Sequence, residues 1–418
     1  MLPLATAYRK PVYALAAASV LALLAWPILR EARRPPSSVA KAWPGLRQAA
    51  LTAQRRTSLV VVAKTWAGYK RAFVTSEGRV RRLPEDDTVS EGQAYAMLRA
   101  AWLRDKAAFD LCYRWTEENL SRRKTAGDHL LAWHWRGGRV VDGMPAADAD
   151  LDYALSLFFA EALWPGAAPR GLIPYGKRAA LCAGDILRRL TYKADRGRLF
   201  LSPWILPRGA KAPFPVNPSY YSPAHFRIFH QRTGDKRWLE LVDTTYRLLE
   251  RLARDPDDGN GSGLVPDWCA VDLEGRLTPL EGKSAHFGWD AIRVPLRVGW
   301  DLAWFDAPQA DAFFRSGLAD FVERTWASQG SLRSEYHRDG SAPKGREDPA
   351  FYAAYFYASA AVRSKTAPAL LRKSRSFLNK GGDGWDYGKD RYYTNSLAWL
   401  ADGLASGLVK NLCAEPLP

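Results

Sequence analysis

Beyond Leu59 nearly every apolar stretch repeats at i, i+3, i+4 and i+7, the spacing that lays hydrophobic side chains along one face of an α-helix. This pattern predicts helices over 91–104, 107–121, 148–164, 174–191, 222–232, 236–253, 290–304, 309–327, 350–362, 367–379 and 391–406. Gly-, Pro- and Asp-rich loops separate them, such as Asp255-Pro-Asp-Asp-Gly-Asn-Gly-Ser-Gly263. Strand-like alternation is confined to short pieces, Ser58–Val62 and Arg198–Leu201. An all-α protein built of helical hairpins follows. Stacked as an open solenoid, such hairpins would show a fixed repeat period, and none is visible, so a closed ring is expected. A ring would gather the helix N-termini and their preceding loops on one face, where a cleft can form.

The first residues read differently. Arg9 and Lys10 precede an apolar run from Val12 to Leu29, followed by Arg30, Glu31, Arg33 and Arg34. Residues 1–34 therefore read as a signal peptide or an uncleaved membrane anchor, 35–56 as a linker turning helical, and 57–410 as one large domain. With 47% hydrophobic and 25% charged residues, the domain can build a packed core. A net charge of +16 favours anionic neighbours, but the basic residues are scattered in small groups such as Arg122, Arg123 and Lys124. No zinc, helix-turn-helix or RNA-binding motif accompanies them, and no nucleic-acid partner is expected. The four cysteines form no Cys-x-x-Cys pair and the six histidines no metal-binding spacing, so neither a metal nor another cofactor is expected. Seventeen Trp, 18 Tyr and 16 Phe suit helix packing, and some suit stacking on the apolar face of a sugar ring.

Three carboxylate segments carry the candidate chemistry. In Thr88–Met97, Ser90 reads as an N-cap and Gln93 as its capping-box partner, which puts Glu91 at the start of a helix. An acid there is equally what the helix dipole favours, and the dipole lowers its pKa; a proton donor would need burial or a neighbouring carboxylate. In Ala146–Leu155, Asp148 extends the apolar stripe Leu151, Ala154, Leu155, Phe158 and Phe159, and so points inward. Asp148 and Asp152 are like charges one turn apart, which repel unless something outside the helix uses them. In Phe287–Arg297, Asp290 opens a helix and Arg293 follows one turn later, either a structural ion pair or a carboxylate held oriented as a base.

Taken in order, these segments resemble glycoside hydrolase family 8, a family of bacterial endoglucanases that includes the cellulase of cellulose-synthase operons. Ser90-Glu-Gly-Gln-Ala-Tyr-Ala-Met97 is similar to the segment that bears the proton donor, and Ala146–Trp164 to the family signature, with Ala147 and Tyr153 as departures. Asp290 with Arg293 is similar to the segment that bears the base, with Trp289 where a Tyr is usual. Asn217-Pro-Ser-Tyr-Tyr-Ser-Pro223, Leu264-Val-Pro-Asp-Trp268 and Leu131-Ala-Trp133 extend the likeness over roughly 57–408. The resemblance implies an (α/α)6 barrel and an endo-acting, inverting hydrolase of a β-1,4-linked glucan. In it Glu91 is the acid, Asp290 the base and Asp148 a sugar-binding carboxylate. It also implies substrate contacts at Trp133, Asn217, Tyr220, Tyr221, Trp289 and Arg293, and a periplasmic or secreted location, with residues 12–29 as the sole membrane attachment if they anchor. The expected partner is a polysaccharide, with an exopolysaccharide synthase complex as a further one. Competing readings are an inactive carbohydrate-binding accessory protein, a hydrolase of xylan or chitosan, and a polysaccharide lyase.

Overall fold

The computed structural model describes residues 48–254, 261–342, 345–388 and 391–414. The leader 1–34, most of the linker 35–56 and residues 255–260 of the 255–263 loop lie outside them. In chain order the helices are α1 Gln48–Phe73, α2 Ser90–Trp102, α3 Lys106–Asn119, α4 Ala147–Leu163, α5 Tyr175–Arg189, α6 Pro223–Thr233 and α7 Arg237–Ala253. There follow α8 Arg293–Phe305, α9 Pro308–Phe313, α10 Ala319–Gln329, α11 Pro349–Ala361, α12 Ala367–Arg375 and α13 Arg391–Ser406.

Helix contacts define two concentric rings. α2, α4, α6, α8, α11 and α13 touch in that order, and α13 returns to α2 to close the inner ring. Outside them α3 packs on α2, α5 on α4, α7 on α6, α9 on α8, α12 on α11 and α1 on α13. This is the (α/α)6 barrel. Because outer and inner helices alternate along the chain, the inner ones run parallel and their N-termini share one face.

The two rings differ in sequence for a physical reason. An outer helix needs one apolar stripe, and α7 has it in Trp238, Leu241, Val242, Thr245, Leu248, Leu249 and Leu252. An inner helix is covered all round. Every residue of α4 from Ala147 to Ala160 is buried, as is every residue of α11 from Pro349 to Ala360, where alanines alternate with aromatics. The ring interior is filled by indoles: Trp102 packs on Phe159, Trp300 and Trp399, and Trp300 stacks on Trp304. Much of the tryptophan surplus is therefore packing.

Two expectations about elements are corrected. Ser58–Val62, read as strand-like, lies inside α1, where Val62 C=O accepts from Trp399 Nε1 (3.1 Å) and Ser58 Oγ from Arg375 (2.6 Å). The predicted helix 309–327 is interrupted at Phe314–Leu318 by a wider turn. There Gly317 has φ 154°, and a Cβ on it would come within 2.6 Å of the Gly263 nitrogen.

Strands occur only in the loops: β1 Thr88–Val89, β2 His134–Arg136 and β3 Arg139–Asp142 form one antiparallel sheet, and β4 Thr191–Ala194 pairs with β5 Arg198–Leu201 as the alternation there predicts. β6 Phe214–Val216, β7 Cys269–Val271 and β8 Leu277–Thr278 form the third. Among the described residues no helix is long and apolar enough to cross a membrane.

Candidate active site

Glu91, Asp148 and Asp290 come from three different inner-helix entrances, and each is placed by backbone contacts of its own segment. The Ser90 N–H donates to Trp133 C=O (2.9 Å) as β1 pairs with β2, so α2 starts at Ser90 after an extended Val89. No side chain caps this helix, because the N-cap position falls on Val89, which has no side-chain acceptor, and not on Ser90 as its sequence suggested. Gln93, expected to complete a capping box, is instead buried as a staple. Its amide donates to Thr116 Oγ1 (2.9 Å) and accepts from the Val80 N–H, tying α2 to α3 and to the preceding loop.

The three aspartates at the start of α4 point three ways, all buried. Asp148 faces the barrel mouth, Asp150 accepts from the Leu131 N–H (2.9 Å), and Asp152 is gripped by both ends of the Arg297 guanidinium and by His225 Nε2 (2.9 Å). The last contact uses the like charge that the spacing left unexplained.

Asp290 does not open a helix as its spacing suggested. α8 begins at Arg293, and Asp290 sits in the tight turn before it. One carboxylate oxygen of Asp267 accepts the N–H groups of Gly288 (3.1 Å), Asp290 (2.9 Å) and Ala291 (2.7 Å), doing for this turn what a cap does for a helix. Gly288 is needed there, since a Cβ would lie 2.5 Å from Asp267 Oδ2.

The three acids meet at one cation. Arg293 Nη1 donates to Glu91 Oε1 and to Asp148 Oδ2 (2.6 Å), while Nη2 donates to Asp290 Oδ1 (2.6 Å). Glu91 also accepts from Tyr392 OH (3.1 Å) and Tyr95 OH (3.4 Å), and Asp290 from Trp268 Nε1 (2.8 Å). Exposure grades across the group: the side chains of Arg293 and Asp148 are 4% and 5% exposed, Glu91 16% and Asp290 32%. Burial, reinforced by the charges of Asp148 and Asp290, raises Glu91 to about 7 against the opposing pull of Arg293 and Tyr392. Burial likewise pushes Asp148 up, with Arg293 pulling the other way. One edge of the site is thus a carboxylic acid that holds its proton near neutrality, and the other a partly open carboxylate fixed by two donors.

This constellation has counterparts. Residues 37–403 match the profile of Glycosyl hydrolases family 8. The chain belongs to this family. It is similar to Endoglucanase A of Acetivibrio thermocellus, 33% identical over 60% of this chain and 51% of that protein. Endoglucanase 2 of Ruminiclostridium josui is 27% identical over 78% of this chain and 65% of its own length. The chain thus spans between about half and two thirds of these curated relatives. Among solved structures, the endo-beta-1,4-glucanase CMCax from Acetobacter xylinum superposes with a TM-score of 0.62 at 26% identity, over 82% of this chain and 96% of that one. The endo-1,4-D-glucanase from Vibrio fischeri ES114 gives 0.68 at 25% identity, over 81% and 94%.

Around the family 8 carboxylates the aromatic residues divide into two groups. Tyr220 lies under the Arg293 guanidinium (5.3 Å) and edge-on to Trp268 (6.0 Å), Trp289 is 37% exposed beside Asp290, and Trp133 is half-buried one hydrogen bond from Ser90. The Trp133 ring packs against His134 (4.8 Å) and is bonded to Asp142 at the foot of β2 and β3, whereas Tyr220 and Trp289 border the carboxylate group. Tyr221 and Asn217, also expected to touch substrate, do not reach it, which corrects that reading. Tyr221 is buried with its hydroxyl bonded to the Leu201 backbone (2.9 and 3.0 Å), and Asn217 is fully buried, its amide oxygen capping the turn that carries Tyr220. Sequence reasoning missed Asp267, Tyr95, Tyr392 and the Asp152–Arg297–His225 layer beneath the site. The matched four-residue steps Asp148/Asp152 on α4 and Arg293/Arg297 on α8 were the available signal for that layer; Tyr392 offered none.

Proposed function

We propose that this chain is an endo-acting hydrolase of β-1,4-linked glucan that works with inversion. Glu91 protonates the leaving glycosidic oxygen, Asp290 takes a proton from the attacking water, and Asp148 binds the distorted sugar while its charge helps keep Glu91 protonated. The observation that carries the reading is the shared guanidinium of Arg293. It ties the three acids into one reaction centre, with Glu91 and Asp290 held by the two different ends of one guanidinium. The endoglucanase names of the relatives supply the bond and the mode of attack.

A panel of soluble β-1,4-glucan, mixed-linkage glucan, xylan and chitosan, assayed for new reducing ends and for the anomer released, tests this. We expect β-1,4-glucan to be cut fastest, internally, with the α-anomer appearing first. An unsaturated product would make the protein a lyase, and no product from any polymer would make it a binding protein.

The N-terminal apolar run 12–29 supports export, with the barrel held in the periplasm, where glucan emerging from an exopolysaccharide synthase would meet it. In spheroplasts, externally added protease should degrade the barrel. Protection there would put the barrel in the cytoplasm and overturn this placement.

A further inference from the structure

We propose that the β2–β3 hairpin is an anion-recognising arm of the cleft, so that the preferred glycan carries negatively charged substituents, carboxylate or phosphate; this rests on the glucanase reading above. The hairpin stands on the reaction centre at both feet. β2 pairs with β1, which leads directly into Ser90 and Glu91, and the Trp133 N–H closes the base of the excursion on Met144 C=O (2.9 Å), four residues before Asp148. Between these feet every residue from Arg136 to Met144 is exposed.

Its tip holds two like charges face to face. Arg136 and Arg139 are paired across the register, flanking the turn Gly137-Gly138, whose φ values of 57° and 84° suit a two-residue hairpin turn. Like charges directly opposite in a ladder repel. Neither has an ion-pair partner among the described residues, whereas Arg79, Arg82 and Arg122 nearby are each tied to an aspartate. The hairpin's own acid, Asp142, is turned to its foot, where it accepts the Met144 N–H (2.9 Å).

The arm is also anchored. Trp135, on the opposite face from Arg136, packs against Trp115 (5.3 Å) and under Arg79 (5.1 Å), so the two arginines lie on the outward face of a braced hairpin. A carboxylate or phosphate between two guanidinium groups relieves their repulsion and receives matched donors. Three extended residues from Trp133 put this pair about 10 Å from the sugar-stacking candidate, a short run of sugars away from it.

The test compares the full-length protein with its R136Q/R139Q variant in native gels containing carboxymethyl cellulose or neutral hydroxyethyl cellulose, together with turnover of both. At low salt the double variant should lose about tenfold in affinity for the carboxymethyl polymer and no more than about twofold for the neutral one. Salt at about 0.5 M should erase the difference. Equal losses on both polymers, or none on the charged one, overturn the proposal. So does a variant that loses binding to phosphatidylglycerol vesicles while glycan binding is unchanged, because exposed Val140, Val141 and Met144 on the same hairpin would then mark a membrane contact. If the wild type hydrolyses neither polymer yet binds the charged one through these arginines, the glucanase reading falls and the arm stands.

Discussion

Glu91→Gln should lower kcat on every cleaved glucan by about a hundredfold or more while leaving binding nearly intact, because it removes a transferable proton and almost no volume. The structure adds a pH signature. The acid must be protonated to work, and burial with its two carboxylate neighbours sets it at about 7, so wild-type activity should fall as pH rises through that value. The residual rate of the Gln variant should lack this limb. Stability should move the same way: the folded pKa lies above the ordinary 4.5, so the fold favours the protonated form and loses stability as pH rises from about 4.5 through about 7. The Gln variant should therefore melt above the wild type at pH about 8 and alongside it at pH about 4. A variant that keeps a tenth of wild-type kcat would remove Glu91 from the acid role.

Arg293→Met should be the more damaging change for the fold. It strips three buried or half-buried carboxylates of the guanidinium they share and leaves their charges facing one another, a loss on the order of 3–5 kcal/mol for a broken buried pair. The loss should be greatest near pH 8 and shrink towards pH 5, because burial holds Glu91 and Asp148 above their usual range and lets them take up protons as the cation is removed. Chemical denaturation at both pH values measures it. An equal loss at each would mean that the arginine acts by packing alone. Activity should also fall at least about a hundredfold, and Arg293→Lys should restore part of the stability without the rate, since a point charge cannot hold carboxylates on both edges.

Most of the barrel was legible because helix packing writes itself into local spacing. The stripe on α7 and the continuous apolar run of α11 gave both helices directly, although which ring each belongs to came only from the structure. α1 was misread at 58–62 because side chains buried beside α13 blur a one-sided stripe. Site residues followed the same rule. Asp148 was legible as the extension of an apolar stripe, whereas Glu91 meets Arg293 across 202 residues and Tyr392 across 301, distances no periodicity encodes. Asp267 acts through backbone N–H groups of another segment, so its own neighbourhood carries no trace of the role. Tyr221 and Asn217 show the converse: a segment beside a cleft contributes some side chains to the wall and others to the support behind it.

The inner ring closes through its first and last helices, α2 against α13, and α13 also brings Tyr392 to Glu91. Synthesis runs from the N-terminus, so a ribosome-bound chain holds five inner helices with an open seam until residue 406 has emerged. Up to that moment the proton donor lacks part of its enclosure, and with it part of the burial that lifts its pKa. On the proposed reading, hydrolytic competence therefore waits for α13, the last inner helix to be made.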